Sequence, residues 1–222
     1  MKPAPTLPPP PPTGMTEPVG PEVLLSEAGI ARAVGDLADR LVPRLAPDAV
    51  AVCLLTGGLW FAADLTRALA ARGRPLAFDA IWLSSYGDRT RSAGEVTVLA
   101  GLRRPVAGRQ VLVIDDVLES GLSLEAARRL VLAAGASEAL TAVFALKPAP
   151  GPVRRPPDDF AWAAPDRFLV GYGMDAAGSH RALPWIGALD EIEGPSRSSP
   201  PTPPQVVPQG GRRSRSGPEG TR

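Results

Sequence analysis

The stretch VLVIDDVLESGLSL, residues 111–124, decides how the chain is read. Its first four residues, Val111 to Ile114, form an apolar run of the length expected for a buried strand. The run ends in two adjacent carboxylates, Asp115 and Asp116. A turn of small and polar residues, Glu119-Ser120-Gly121-Leu122-Ser123, then opens a helix. Backbone amides at a helix start point outward and carry the positive end of the dipole, so they can cradle a phosphate. Gly121 permits close backbone approach, and Ser120 and Ser123 add hydroxyl donors. The two acids, one turn away, can accept hydrogen bonds from the vicinal hydroxyls of a sugar. Strand, acids and turn together describe a site for ribose 5-phosphate. The plainer readings of Asp115-Asp116, a metal site or a solvated pair at a strand end, use the same residues. A dinucleotide fold would want G-x-G-x-x-G after the first strand, where only Gly57-Gly58 stands.

Working outward, residues 22–190 alternate strand and helix patterns. Ser26-Glu27 reads as a helix start, followed by Ile30, Val34, Leu37, Ala38 and Leu41 at helical spacing; Pro43 and Pro47 end it. AVAVCLL (49–55) is a buried strand, residues 60–73 a helix ending at Gly73, and 76–85 a second strand. Residues 95–101 read as the return arm of a hairpin-like loop and 110–117 as a third buried strand. A strong helix covers 122–136, a fourth strand 139–147, and a fifth strand 168–175 that runs into a loop. Buried runs separated by helices predict an α/β fold with a central parallel sheet covered on both faces. Ligands in such sheets sit at the carboxyl ends of the strands, which places the chemistry just after residues 55, 84, 115, 147 and 171.

The ends differ from the middle. Residues 1–21 carry an unbroken run from Pro8 to Pro12, and 191–222 combine prolines with Arg212, Arg213 and Arg215. Neither composition can join a core, so both are expected as solvated, disordered extensions. Met15 is an alternative start. The formal net charge of +1 over 222 residues gives no reason to expect a nucleic-acid partner, and no segment has the length of apolar residues needed to span a bilayer. One cysteine, Cys53, and one histidine, His180, exclude a disulfide framework and a multi-histidine metal site, which fits a reducing cytoplasm.

The 111–124 stretch resembles the phosphoribosyl-pyrophosphate signature of the type I phosphoribosyltransferases, in order and in spacing. LTGG (55–58) stands where that family binds pyrophosphate. SSYGDRTRSAG (84–94) looks like the long flexible loop of the hypoxanthine-guanine members, and DRFLVGYGMD with RALPWIG (166–187) like their purine-binding segment. The resemblance covers roughly residues 22–190. It implies the type I phosphoribosyltransferase fold: a parallel sheet flanked by helices, a small hood subdomain and a flexible lid loop. It also implies transfer of phosphoribosyl from 5-phosphoribosyl-1-pyrophosphate to a 6-oxopurine, Mg²⁺ as cofactor, and a homodimer or homotetramer.

Roles follow by resemblance. Asp115 and Asp116 hold the ribose hydroxyls and, with Asp175, bear on Mg²⁺. Ser120, Gly121, Leu122 and Ser123 hold the 5-phosphate, and Thr56 and Gly57 the pyrophosphate, which Arg181 also meets. Lys147 donates to the purine 6-oxo group. Phe168 stacks on the base beside Arg167 and Leu169, although taken alone its plainer reading is core packing. Ser85 and Tyr86 form the lid, and Glu119 is the proton acceptor. His180 has no role. Two residues depart from the family pattern: Glu119 stands where aspartate is usual, and Thr56 where lysine is common. A binding module that senses nucleotides on the same fold, and an enzyme for xanthine or another base, are the alternative readings.

Overall fold

Three central strands carry continuous apolar runs because they are covered on both sides, and they organise everything else. The computed structural model describes residues 20–85, 96–148 and 155–189. Most of the expected N-terminal arm, the lid from Tyr86 onward and the C-terminal tail lie outside these residues. Strand β1 (Glu22–Leu25) leads into helix α1 (Glu27–Leu41), and β2 (Val50–Leu55) into α2 (Leu59–Ala71). Then come β3 (Ala77–Ser85), β4 (Val96–Ala100), β5 (Gln110–Leu118), α3 (Leu122–Ala133), β6 (Glu138–Leu146), β7 (Asp159–Ala163), β8 (Phe168–Val170) and β9 (Ile186–Leu189). The main sheet has the order β4-β3-β2-β5-β6-β7 and is parallel except for β4. A second sheet, β1-β9-β8, is antiparallel throughout and supplies the small second subdomain.

Alternation within the central strands explains their unbroken hydrophobicity. Ala51 and Cys53 of β2 and Leu112 and Ile114 of β5 pack into one core with α1 and α2. Val50, Val52, Val111 and Val113 face the other core, with Leu124, Ala127 and Val131 of α3. Both faces exclude water, so neither set can be polar. The Ser26 hydroxyl accepts from the Gly29 amide at 3.2 Å, capping α1, and Ile30, Val34, Leu37, Ala38 and Leu41 are its buried stripe, as their spacing requires. Gly135, with φ +90°, follows the end of α3.

Two readings are corrected. Residues 168–175 are not the fifth parallel strand: β7 takes that place beside β6, and only Phe168–Val170 is strand, paired antiparallel with β9 in the small sheet. Helix α3 stops at Ala133 rather than 136. The edge strands β1 and β7, and β9 at the centre of the small sheet, were not anticipated. The small sheet is nevertheless fastened to the main core. Phe144 of β6 meets Phe61 of α2 at 5.5 Å and Tyr172 at 5.0 Å, both edge to face. The Tyr172 hydroxyl donates to Asp64 of α2 at 2.8 Å. Among the described residues, no helix is long and apolar enough to cross a membrane.

Candidate active site

The carboxyl ends of β2, β5 and β6 and the turn after β8 converge. After β2, whose Leu55–Thr56 peptide is cis, Thr56, Gly57 and Gly58 bridge to α2. Thr56 is exposed. A side chain at Gly57 would collide with the Asp116 carboxylate, and one at Gly173 with the Gly57 carbonyl. The three backbones therefore meet where no larger residue fits.

Asp115 and Asp116 end β5. Asp115 accepts from the Asp116 amide at 3.0 Å, and Asp116 from the Val117 amide at 2.9 Å. Burial pushes both carboxyls above the ordinary carboxylate range, and the Asp116 charge pushes Asp115 further; hydrogen bonds and the Arg181 charge partly offset the shift of Asp116. Two adjacent, partly buried acids at cavity walls are a set of acceptors available to hydroxyl donors or a cation. The same burial, with the charges of Asp115 and Asp116, raises the Cys53 thiol to about 12, so it is no nucleophile at neutral pH.

Beyond them the chain turns through Gly121, at φ +73°, into α3, whose start has no side-chain cap. Asp115, Val117 to Leu122, Ser123 and Leu124 enclose a cavity of about 180 Å³ at this helix start. A glycine-entered helix N-terminus lining a cavity offers outward amides and the positive end of the helix dipole to an anion, beside the carboxylates of Asp115 and Glu119.

A second cavity, of about 190 Å³, is lined by Asp116, Val117, Glu119, Lys147, Phe168, Leu169, Met174 and Asp175. Val117 and Glu119 line both cavities. Phe168 is 48% exposed, so it is not a core residue; Leu169 is buried. Register accounts for the meeting of Glu119 and Lys147. Leu118 is aligned with Leu146 across β5 and β6, so the next residues of both strands emerge side by side. Lys147 Nζ donates to Glu119 Oε1 at 2.7 Å. Arg181 Nη2 pairs with Asp175 Oδ1 at 2.6 Å, and its Nη1 donates to the Gly173 carbonyl at 2.5 Å. Asp175 also accepts from the Gly178 amide at 2.7 Å. Among the expected residues, Arg167 does not line the cavity; its guanidinium pairs with Glu22 of β1 at 2.5 Å. Tyr86 lies outside the described residues, and Ser85 is placed only as the last residue of β3. Sequence reasoning missed Val117, Met174 and Gly173. The alternating glycines of Gly171-Tyr172-Gly173, at φ +93° and +103°, were the available signal for close backbone approach.

The phosphoribosyl transferase domain model matches residues 23–177, which spans both cavities and the turn between them. The chain belongs to the phosphoribosyltransferase family. It is 34% identical to the hypoxanthine-guanine phosphoribosyltransferase of Bacillus subtilis, over 76% of this chain and 92% of that one. To the enzyme of the same name from Crithidia fasciculata it is 36% identical over 132 residues, 60% of this chain and 64% of that relative. The solved hypoxanthine phosphoribosyltransferase of Trypanosoma cruzi complexed with IMP superposes with a TM-score of 0.71 at 27% identity, covering 80% of this chain and 95% of that one. Fold and family thus agree with the type I phosphoribosyltransferase read from residues 111–124.

Among the described residues no three acidic, histidine or cysteine side chains cluster as a metal cage. The donors suit Mg²⁺ nonetheless. That ion takes one or two carboxylates and completes its shell with substrate phosphates and water, and Asp115, Asp116 and Asp175 are hard oxygen donors at the rim of the cavities.

Proposed function

We propose that this phosphoribosyltransferase carries 5-phosphoribosyl from 5-phosphoribosyl-1-pyrophosphate to hypoxanthine and guanine, giving IMP or GMP and pyrophosphate, in purine salvage. The observation that carries this reading is the pair of cavities sharing Val117 and Glu119: an anion cradle at the α3 start beside a slot floored by Lys147 and edged by Phe168. A 5-phosphate seated on the amides of 121–124 brings the ribose over Asp115 and Asp116 and its C1 toward Glu119. A flat base in the other cavity stacks on Phe168 and offers its 6-oxo group to Lys147.

The C1–oxygen bond to pyrophosphate then breaks while a ring nitrogen bonds C1 from the opposite face, and Glu119 takes the proton that nitrogen releases. Thr56, Gly57 and Arg181 face the departing pyrophosphate, where Arg181 adds a cationic fork. One or two of the carboxylates of Asp175, Asp115 and Asp116 would hold Mg²⁺, which would supply charge neutralisation at the pyrophosphate. Ser85 and Tyr86, at the head of the lid, shield the sugar cation from water. The protein works in the cytoplasm as a homodimer or homotetramer.

The test is a spectrophotometric assay with hypoxanthine, guanine, xanthine and adenine in the presence of phosphoribosyl pyrophosphate and Mg²⁺. Turnover of hypoxanthine and guanine is expected. Turnover of xanthine alone reassigns the acceptor. Tight binding of phosphoribosyl pyrophosphate with no turnover of any base makes the protein a nucleotide sensor on the same fold.

A further inference from the structure

Glu119 and Lys147 have separate tasks in this reaction, yet each occupies the other. Their ion pair is 2.7 Å long, and it joins a lysine side chain only 12% exposed to a glutamate 65% exposed. The pair lies across the cavity that the base must enter, since both residues line it. One oxygen of Glu119 and one hydrogen of Lys147 are thus engaged with each other rather than with a base.

We propose that the Glu119–Lys147 ion pair is a specificity gate: a 6-oxo acceptor draws Lys147 away, and only then is the Glu119 carboxylate released to the base. The inference rests on the reading of the two residues given above and adds a coupling between them. Lys147 carries three donors and no acceptor, and its side chain is largely covered. Losing Glu119 without replacement leaves a charged donor short of an acceptor, which is disfavoured. A 6-oxo oxygen is a replacement acceptor, so the exchange is balanced for hypoxanthine or guanine. A 6-amino group presents N–H against N–H; the pair then stays closed and no carboxylate is available to the ring nitrogen. Recognition and proton acceptance are joined through one contact, and unpaired buried polar groups give larger discrimination than a shape mismatch does.

Side-chain length sets the gate. Glu119 reaches from the end of β5 to Lys147 at the end of β6 with a normal hydrogen-bond length. Aspartate at this position would fall short by about one carbon–carbon bond, ~1.5 Å, too far for a direct hydrogen bond. The glutamate that departs from the family pattern is therefore the residue whose length makes the pair.

The experiment compares wild type, Glu119→Asp and Glu119→Gln, using hypoxanthine and adenine as acceptors and calorimetry for hypoxanthine binding. Glu119→Asp opens the gate. Hypoxanthine binds on the order of threefold to fivefold more tightly, as expected when a partly exposed ion pair no longer has to be broken. The hypoxanthine-to-adenine ratio of kcat/KM falls by about tenfold. Glu119→Gln lowers kcat for hypoxanthine by about 100-fold, as loss of a positioned proton acceptor does. If Glu119→Asp leaves both hypoxanthine affinity and the acceptor ratio at wild-type values, the gate is overturned while the assigned reaction stands. If Glu119→Gln turns over at the wild-type rate, the proton-acceptor role itself falls, and the gate with it.

Discussion

Gly57 presses its α-carbon against the Asp116 carboxylate so closely that no side chain fits between them. The contact joins the turn after β2 to the acids near the carboxyl end of β5, and so fixes the proposed pyrophosphate side of the site relative to the proposed ribose side. Gly57→Ala forces one of the two to move. Overpacking of this kind costs about 1–3 kcal/mol, and a displacement of ~1 Å at a reacting centre costs on the order of 100-fold in rate. The steric origin is checked by a double-mutant cycle in thermal unfolding. In an Asp116→Ala background the obstruction is gone, and the same glycine substitution should cost less by about 1 kcal/mol or more. Strict additivity of the two changes would show that the collision is not the cause.

Asp115 and Asp116 store stability that the protein forgoes for its ligand. Burial and mutual repulsion raise the Asp115 carboxyl, so keeping it ionised opposes folding in the empty site. Asp115→Asn removes one charge and keeps the shape. In magnesium-free buffer this variant should melt a few degrees higher than wild type, equivalent to about 1 kcal/mol, while its turnover falls by roughly 100-fold because the ribose hydroxyls lose a charged acceptor. A variant that melts lower would refute the electrostatic argument. Stability gained at the expense of activity is the expected signature of a site built for a partner.

The legibility of this fold in its sequence followed burial. Strands β2, β5 and β6 read as continuous apolar runs because each faces a core on both sides. The turn into α3 was equally legible, since its glycine entry is local to residues 119–123. DFAWA of β7 is a half-buried edge of five residues, and β1 and β9 have four each, too short to show a period; their pairing partners lie far away in sequence. Phe168–Val170 was placed in the wrong sheet for the same reason, because hydrophobicity alone cannot name the neighbour. The Glu119–Lys147 pair depends on the alignment of Leu118 with Leu146 across two strands, a relation absent from either segment taken singly.

Asp79 gives the pH dependence a definite sign. Its carboxylate is 8% exposed and accepts from the amides of Ala80, Arg103 and Arg104, each at 2.8 Å, tying the segment after β4 to β3. Burial opposes the charge, but the amide hydrogen bonds and the Arg104 charge outweigh it and hold the carboxyl below the ordinary aspartate range. A lowered folded-state value means stability that is present above the unfolded value, near 3.9, and is lost as pH falls through the folded one. Asp79→Asn should cost about 1–3 kcal/mol at pH 7, because an amide cannot replace a carboxylate accepting three donors. Denaturant unfolding of both proteins from pH 7 down to pH 3 should show that deficit shrinking at the acid end. A deficit that stays constant with pH would mean that Asp79 acts through its shape and not its charge.

The chain outside residues 22–190 should be dispensable for turnover. Among the described residues, every one lining the two cavities lies between Asp115 and Asp175, and the strands that hold them close their pairings between Glu22 and Leu189. A chain cut to 22–190 should therefore keep kcat and KM for hypoxanthine within about twofold of the full-length protein, with thermal unfolding unchanged within about 1 kcal/mol. The outcome that would reverse this expectation is a large loss of kcat at unchanged melting temperature. That result would place part of an extension at the reacting centre and make it a component of the enzyme.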